Sequence, residues 1–359
     1  MSRAAKRIAP PPRVASAGRR RLLLSLGAGA LALAGCGRRG RSDPTARLAQ
    51  VPAAKRIPSP PDKRRLAVLR DEGAISAGGE VDERRVGEML NQGMLALTGA
   101  EAPAEAWSRY FRPGDVVAIK VNCLGGPGLR SHPELVEAIV RGVASSGVRR
   151  QDIIIYDRDT RELRECGFEV QTGGGGPLCY GTDEVGYDAE PTVVKSVGSL
   201  FSRIVSTQCN AIINVPVLKD HDLAGISGAL KNHFGSIHNP NKLHTDHCSP
   251  YVADLNCAAL LRDKQRLVVY DALKACYEGG PGYKPDTTIA FGGLMLGSDA
   301  VALDALAVKM LDAMREEHGL PALGTLERAP RYVAVAADEE HGLGTDDLGQ
   351  VEILRPEEA

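Results

Sequence analysis

Five of the chain's eight histidines fall in one stretch, His221 to Cys248, which reads HDLAGISGALKNHFGSIHNPNKLHTDHC. They are His221, His233, His238, His244 and His247. Imidazole is the commonest protein metal ligand and the side chain most easily protonated and deprotonated near neutral pH. A concentration of it on a glycine-punctuated segment marks a site for proton transfer or metal binding. His221 is the candidate proton carrier. His244 and His247 are candidate ligands for a transition metal, with Asp246 as a further ligand or a support. His233 and His238 are expected to be exposed helix and loop residues. The small residues of Ala224–Gly235 suit a loop turning into a helix, whose free N–H groups would hold an anion. Lys231 adds positive charge beside them.

Such residues act only if the chain's elements bring them together. Leu66–Leu69 reads as a short strand and Val81–Leu97 as a helix. Val116–Asn122 is an apolar strand, followed by a glycine loop at 125–128 and an amphipathic helix from Pro133 to Ser146. Further strands are read at Ile153–Asp157, Thr192–Val197, Ala211–Val217 and Arg266–Tyr270. Apolar strands separated by helices imply an α/β fold, a mainly parallel sheet with helices on both faces. Sites in such folds lie beyond the C-terminal ends of the strands. The polar residues at those ends are Lys120 and Asn122, Asp157 and Asp159, Lys219 to His221, and Asp271. Lys120, Asn122 and Asp271 therefore join Lys231 as candidates for holding a ligand or cofactor. No G-x-x-x-x-G-K-[ST], strand-coupled G-x-G-x-x-G, G-x-S-x-G or H-E-x-x-H pattern is present. The glycines at 173–176 and in Glu278–Tyr283 are read as turns or lid segments.

Four pieces stand in a recognisable order: Lys120-Val121-Asn122, Ala211 to Lys219, Gly228-Ala229-Leu230-Lys231-Asn232, and Gly297 to Ala305. Together they resemble the domain-of-unknown-function family 362 over residues 65–315. That likeness implies a fold and no reaction. Many members carry an attached iron–sulfur module, whose cysteines this chain lacks. The run His221-x-x-Ala224-Gly225-x-Ser227-Gly228-x-x-Lys231 also resembles, more distantly, a loop of nickel-dependent lactate racemases. The resemblance implies an acid/base role for His221 and attachment of a nickel-pincer nucleotide at Lys231. It also implies a nickel ligand at His247, which stands sixteen residues further on. Their second acid/base histidine is replaced by Tyr156-Asp157-Arg158-Asp159, and their phosphate loop by Asn122–Gly126.

The N-terminus reads as an address. Arg19-Arg20-Arg21 precedes an apolar run to about Ala34, and Leu33-Ala34-Gly35-Cys36 resembles a lipoprotein cleavage box. The run is short of the ~20 residues that span a bilayer. Residues 1–35 are thus expected to be a twin-arginine-type signal, 36–64 a disordered tether from a lipidated Cys36, and 65–359 one α/β domain. Fifteen Lys/Arg against two Asp/Glu stand before residue 65, so the remaining 29 basic and 43 acidic residues give the body a formal charge of −14. That balance argues against nucleic acid as a partner. The other seven cysteines include no C-x-x-C pair, and most of them are read as buried apolar residues. The sum is an exported, membrane-tethered protein with a metal-assisted site for a small carboxylate- or phosphate-bearing molecule. The alternative is a lipoprotein that binds a metal or anion without catalysis.

Overall fold

The computed structural model describes residues 64–356; the signal, the tether and Cys36 lie outside them. Twelve strands are present among the described residues: β1 (Arg65–Arg70), β2 (Val117–Lys120), β3 (Ile153–Tyr156), β4 (Leu178–Cys179), β5 (Thr192–Val194), β6 (Val197–Ser199), β7 (Ala211–Asn214), β8 (Val217–His221), β9 (Gly225–Ile226), β10 (Gln265–Cys276), β11 (Thr288–Gly297) and β12 (Glu352–Leu354). Ten of them form one sheet with the backbone order β12-β1-β11-β10-β7-β2-β3-β4, while β8 and β9 branch from β10. β10, β7, β2, β3 and β4 run parallel, as do β1 and β12. Along that order only β11 runs against its neighbours, so the sheet is mainly parallel.

Side chains alternate across a strand, and here both faces are apolar. Val117, Ile119, Ile153, Ile155, Ala211 and Ile213 enter one core layer; Ala118, Ile154, Tyr156, Ile212, Val268 and Tyr270 enter the other. The helices Glu83–Thr98, Pro103–Ser108 and Pro133–Ser145 supply the first layer. Tyr251–Asn256, Ala300–Glu317 and Tyr332–Ala337 supply the second. Each of these helices turns an apolar stripe inward, as Val86, Met89, Leu90, Gly93, Met94 and Leu97 do in the first.

Two departures from the sequence reading have plain causes. Thr192–Val197 is not a strand of the main sheet: its first three residues are β5, which pairs with β6, starting at Val197, as a separate antiparallel hairpin. Val193 at its centre is 75 % exposed, so β-branched residues marked a strand without marking burial. The single strand expected over Ala211–Val217 is two, because Pro216 has no N–H to continue the ladder. β7 ends at Asn214, and β8 resumes beside the second half of β10, with Val217 opposite Asp271. That offset carries Lys219 and His221 outward past the ends of β7, β2 and β3.

Candidate functional site

Beyond the ends of β2, β3 and β8 lies a cleft lined by Lys120, Asn122, Asp157, Glu162, His221, Ser227, Lys231, Asn232, Phe234 and His244, among others. Its volume of about 130 Å³ is close to the ~150 Å³ cavity that admits a benzene-sized molecule. The ligand it can enclose is therefore small.

The floor is a closed polar network. Lys120, 1 % exposed, donates to Asp157 Oδ1 (2.7 Å), Val121 O (2.6 Å) and Asn232 Oδ1 (3.3 Å). Asp157 Oδ2 accepts from the Cys123 N–H at 2.7 Å, so one carboxylate ties the ends of β2 and β3 together. Gly235 lies against this pair: a Cβ there would stand 2.7 Å from Lys120 Cε and 3.0 Å from Asp157 Oδ1. Only glycine lets the backbone come so close. Asn232 accepts from Asn122 Nδ2 (3.0 Å) and donates to Asn214 Oδ1 (2.8 Å). Behind Asn122, Lys219 Nζ donates to its Oδ1 at 2.9 Å. Among the described residues, neither Lys219 nor Lys231 has a carboxylate within ion-pair distance. Burial pushes both ammonium groups down to about 8, because a charge taken from water favours its neutral form.

The wall above is built from His221, Lys231 and His244. Lys231 sits in the short helix Ala229–Asn232. The N–H groups of Ala229 (2.5 Å) and Leu230 (3.1 Å) are both taken by the Asp304 carboxylate from the helix Ala300–Glu317. The helix start expected to hold an external anion thus holds one of the protein's own. Gly228, at φ +57°, is needed there, since a Cβ would meet Asp304 Oδ2 at 2.6 Å. Burial pushes Asp304 up to about 7, against the pull of those N–H groups and of the Tyr270 hydroxyl at 2.9 Å.

Hydrogen bonds fix the tautomers of the two cleft histidines. His244 Nδ1 is 3.1 Å from Pro240 O, a pure acceptor, so it carries the proton. Its Nε2 then accepts from Lys231 Nζ at 3.2 Å. His221 Nδ1 accepts from the Leu223 N–H at 3.1 Å, which leaves its proton on Nε2. The exposed Asp222 carboxylate also lies 3.1 Å from that Nδ1; the fixed backbone donor decides between them, because Asp222 is free to turn to water. Burial first, and the positive charges of Lys231, Lys219 and Arg328 after it, push His221 down to about 2. His221 is therefore a neutral donor facing a positive wall, with its ring centroid 5.8 Å from that of His244.

The remaining candidates lie elsewhere. His247 does not line the cleft: its Nδ1 donates to Leu223 O at 3.0 Å, and its Nε2 is 3.9 Å from Glu327. Asp246, His247 and Cys248 all have positive φ, of 49°, 55° and 63°, so the backbone turns between His244 and His247. Among the described residues no three His, Cys, Asp or Glu side chains are grouped to hold a metal ion, and His244 Nε2 is engaged by Lys231. Asp271 is committed to His132, accepting from its N–H at 2.6 Å and facing its Nδ1 at 2.9 Å. His233 is buried rather than exposed, with Nε2 2.8 Å from Gln265 Oε1; His238 is exposed as expected.

Asn232, Glu162 and Asp304 were not singled out from the sequence. Asn232 follows Lys231 directly and was findable as its neighbour. Glu162, half-buried at the cleft and raised by that burial, is one turn past the end of β3. Asp304 is 75 residues from the N–H it caps, and no local pattern links the two.

A model of the family described as Domain of unknown function (DUF362) matches residues 117–309, just over half of the 359-residue chain. The match begins at β2 and ends past Asp304, so it spans the whole cleft and its supports. No curated protein matches the chain.

Proposed function

The chain belongs to the domain-of-unknown-function family 362, and since that description names no reaction, we propose a function from the cleft itself: it binds a small carboxylate- or phosphate-bearing molecule and moves a proton on it. The observation that carries this reading is the pair of buried lysines, Lys219 and Lys231, without carboxylate partners at the C-terminal edge of the sheet. A buried charge is costly unless paired, and an incoming anion is the missing partner. Lys231 would meet the anion directly, His221 Nε2–H and Ser227 would orient it, and Lys219 would act through Asn122.

The proton chemistry follows from the same contacts. An anion beside His221 offsets the positive wall and raises its basicity, so His221 becomes a usable proton carrier only with ligand in place. Lys231 and His244 share a hydrogen bond with the acceptor lone pair on His244, so a proton can pass between them without either side chain moving.

In the same proposal the body is exported and tethered by a lipid on Cys36. Its support is Arg19-Arg20-Arg21, the apolar run behind it and the Leu33–Cys36 box. Among the described residues no helix is long and apolar enough to cross a membrane. Calorimetric titration of the full chain with acetate and with inorganic phosphate tests the cleft. Saturable binding that weakens in Lys231→Met is expected; no binding of either anion, or equal binding by the variant, refutes the assignment. The non-catalytic reading predicts the same binding with no proton exchange on any bound acid.

A further inference from the structure

Among the seven described cysteines, none forms a disulfide, and two stand together. Cys166 Sγ is 3.6 Å from Cys123 O, and the two side chains are close enough for each to perturb the other's thiol. Both are 1 % exposed.

Their places in the fold give the contact a consequence. Cys123 follows Asn122 on the loop after β2, and its N–H is the one held by Asp157. Cys166 closes the helix Thr160–Glu165, which carries Glu162. Asn122 and Glu162 both line the cleft, and β2 and β3, which lead into these segments, are adjacent strands. From these contacts we infer that Cys123 and Cys166 form a reversible disulfide that fastens the loop after β2 to the helix after β3 and sets the opening of the cleft.

The two sulfurs are chemically unequal, as an exchange pair requires. The Cys123 S–H bond lowers the Cys166 thiol, with help from Arg130, while the same bond and burial raise Cys123. Cys166 is the attacking thiolate, reached when the short helix it closes swings outward, since at 1 % exposure it meets no small disulfide in the closed form. It opens a small disulfide such as oxidised glutathione, releasing one thiol and forming a mixed disulfide. Cys123 then loses its proton, attacks the Cys166 sulfur and expels the second thiol. Two S–H bonds are lost and one S–S bond is gained; the two electrons and two protons reduce the glutathione disulfide to two thiols.

The test uses the full chain equilibrated with reduced or oxidised glutathione. The oxidised protein should be lighter by two hydrogens and yield a peptide pair joined through Cys123 and Cys166. Cys166→Ser should yield no cross-link. Cys123→Ser should stop at glutathione on Cys166, which a pair brought together by unfolding would not do selectively. Acetate affinity should differ several-fold between the two wild-type forms. The disulfide is overturned if both thiols remain alkylatable after oxidation or if another pair joins. The link to the cleft is overturned if the cross-linked and reduced forms bind acetate equally. Acetate binding by the reduced chain tests the anion site separately, so failure of one reading is distinguishable from failure of the other.

Discussion

Lys231 keeps its charge against burial, and an anion entering the cleft should restore what water no longer provides. Its ammonium is held at about 8 where 10.5 is ordinary. At ~1.36 kcal/mol per pKa unit that gap corresponds to roughly 3 kcal/mol, the scale of what pairing this lysine can return. The sign follows by linkage: the anion binds the protonated lysine, so it raises the lysine's pKa, and affinity is full below about 8. Above that pH each lysine that must be charged costs about tenfold in affinity per pH unit. Lys219, also held at about 8, adds a second slope, so the wild-type fall between pH 8 and 9 should lie between about fivefold and thirtyfold. Acetate is the suitable probe, because its own charge is constant over this range. Titration calorimetry of wild type and Lys231→Met across that range should show a steep fall in the first. The second should bind more weakly throughout and fall less steeply. A wild-type affinity that stays level from about pH 7 to pH 10 would mean that no buried lysine meets the anion, and the argument would be refuted.

Three further outcomes are expected. Gly235→Ala should place a methyl against Lys120 and Asp157 and destabilise the fold by about 1–3 kcal/mol; an unchanged urea midpoint would show that the backbone has room to yield. Asp304→Ala orphans the N–H groups of Ala229 and Leu230 at about 1–3 kcal/mol each. It should also weaken acetate binding by releasing Lys231, and a variant that lost stability but bound normally would uncouple the cap from the site. His341 has Asp254 2.8 Å from one ring nitrogen and Asp338 2.7 Å from the other, so it can satisfy both only as imidazolium. Burial opposes its charge, but the carboxylates outweigh it and hold its pKa above 6.5. Its contribution is therefore full below pH 6.5 and lost as pH rises through the raised value. The difference in urea stability between wild type and His341→Gln should shrink over that rise; a difference constant with pH would contradict the imidazolium.

What the sequence disclosed and what it hid divide along physical lines. Val117–Lys120, Ile153–Tyr156 and Ala211–Asn214 were legible because strands buried on both faces are apolar throughout. β11 escaped notice: Gly292, Gly293 and Gly297 interrupt it, and its antiparallel course has no crossover helix to announce it. In the site, Lys120, Asn122, His221, Lys231 and His244 meet in one cleft because the ends of parallel strands share one edge. Asp271 starts from the same edge, but its carboxylate is claimed by His132. The anion cradle at Ala229 was read from local spacing, which cannot reveal that a helix far along the chain fills it. Composition suggested buried cysteines, and that much is seen; which two would touch depends on the β2–β3 pairing.

The direction of β1 has a bearing on how the molecule can be presented. β1 runs antiparallel to β11, which runs antiparallel to β10, so β1 starts at the edge of the sheet opposite the cleft. Anything joined ahead of Arg65, whether a lipid tether, a fusion partner or a sensor surface, takes hold of the end remote from the ligand entrance. The last strand, β12, runs parallel to β1 and finishes on the entrance side, at the far flank of the sheet. A label attached after Leu354 therefore shares the ligand's side of the molecule, and immobilisation through the N-terminal end is the orientation that leaves the cleft open to solution.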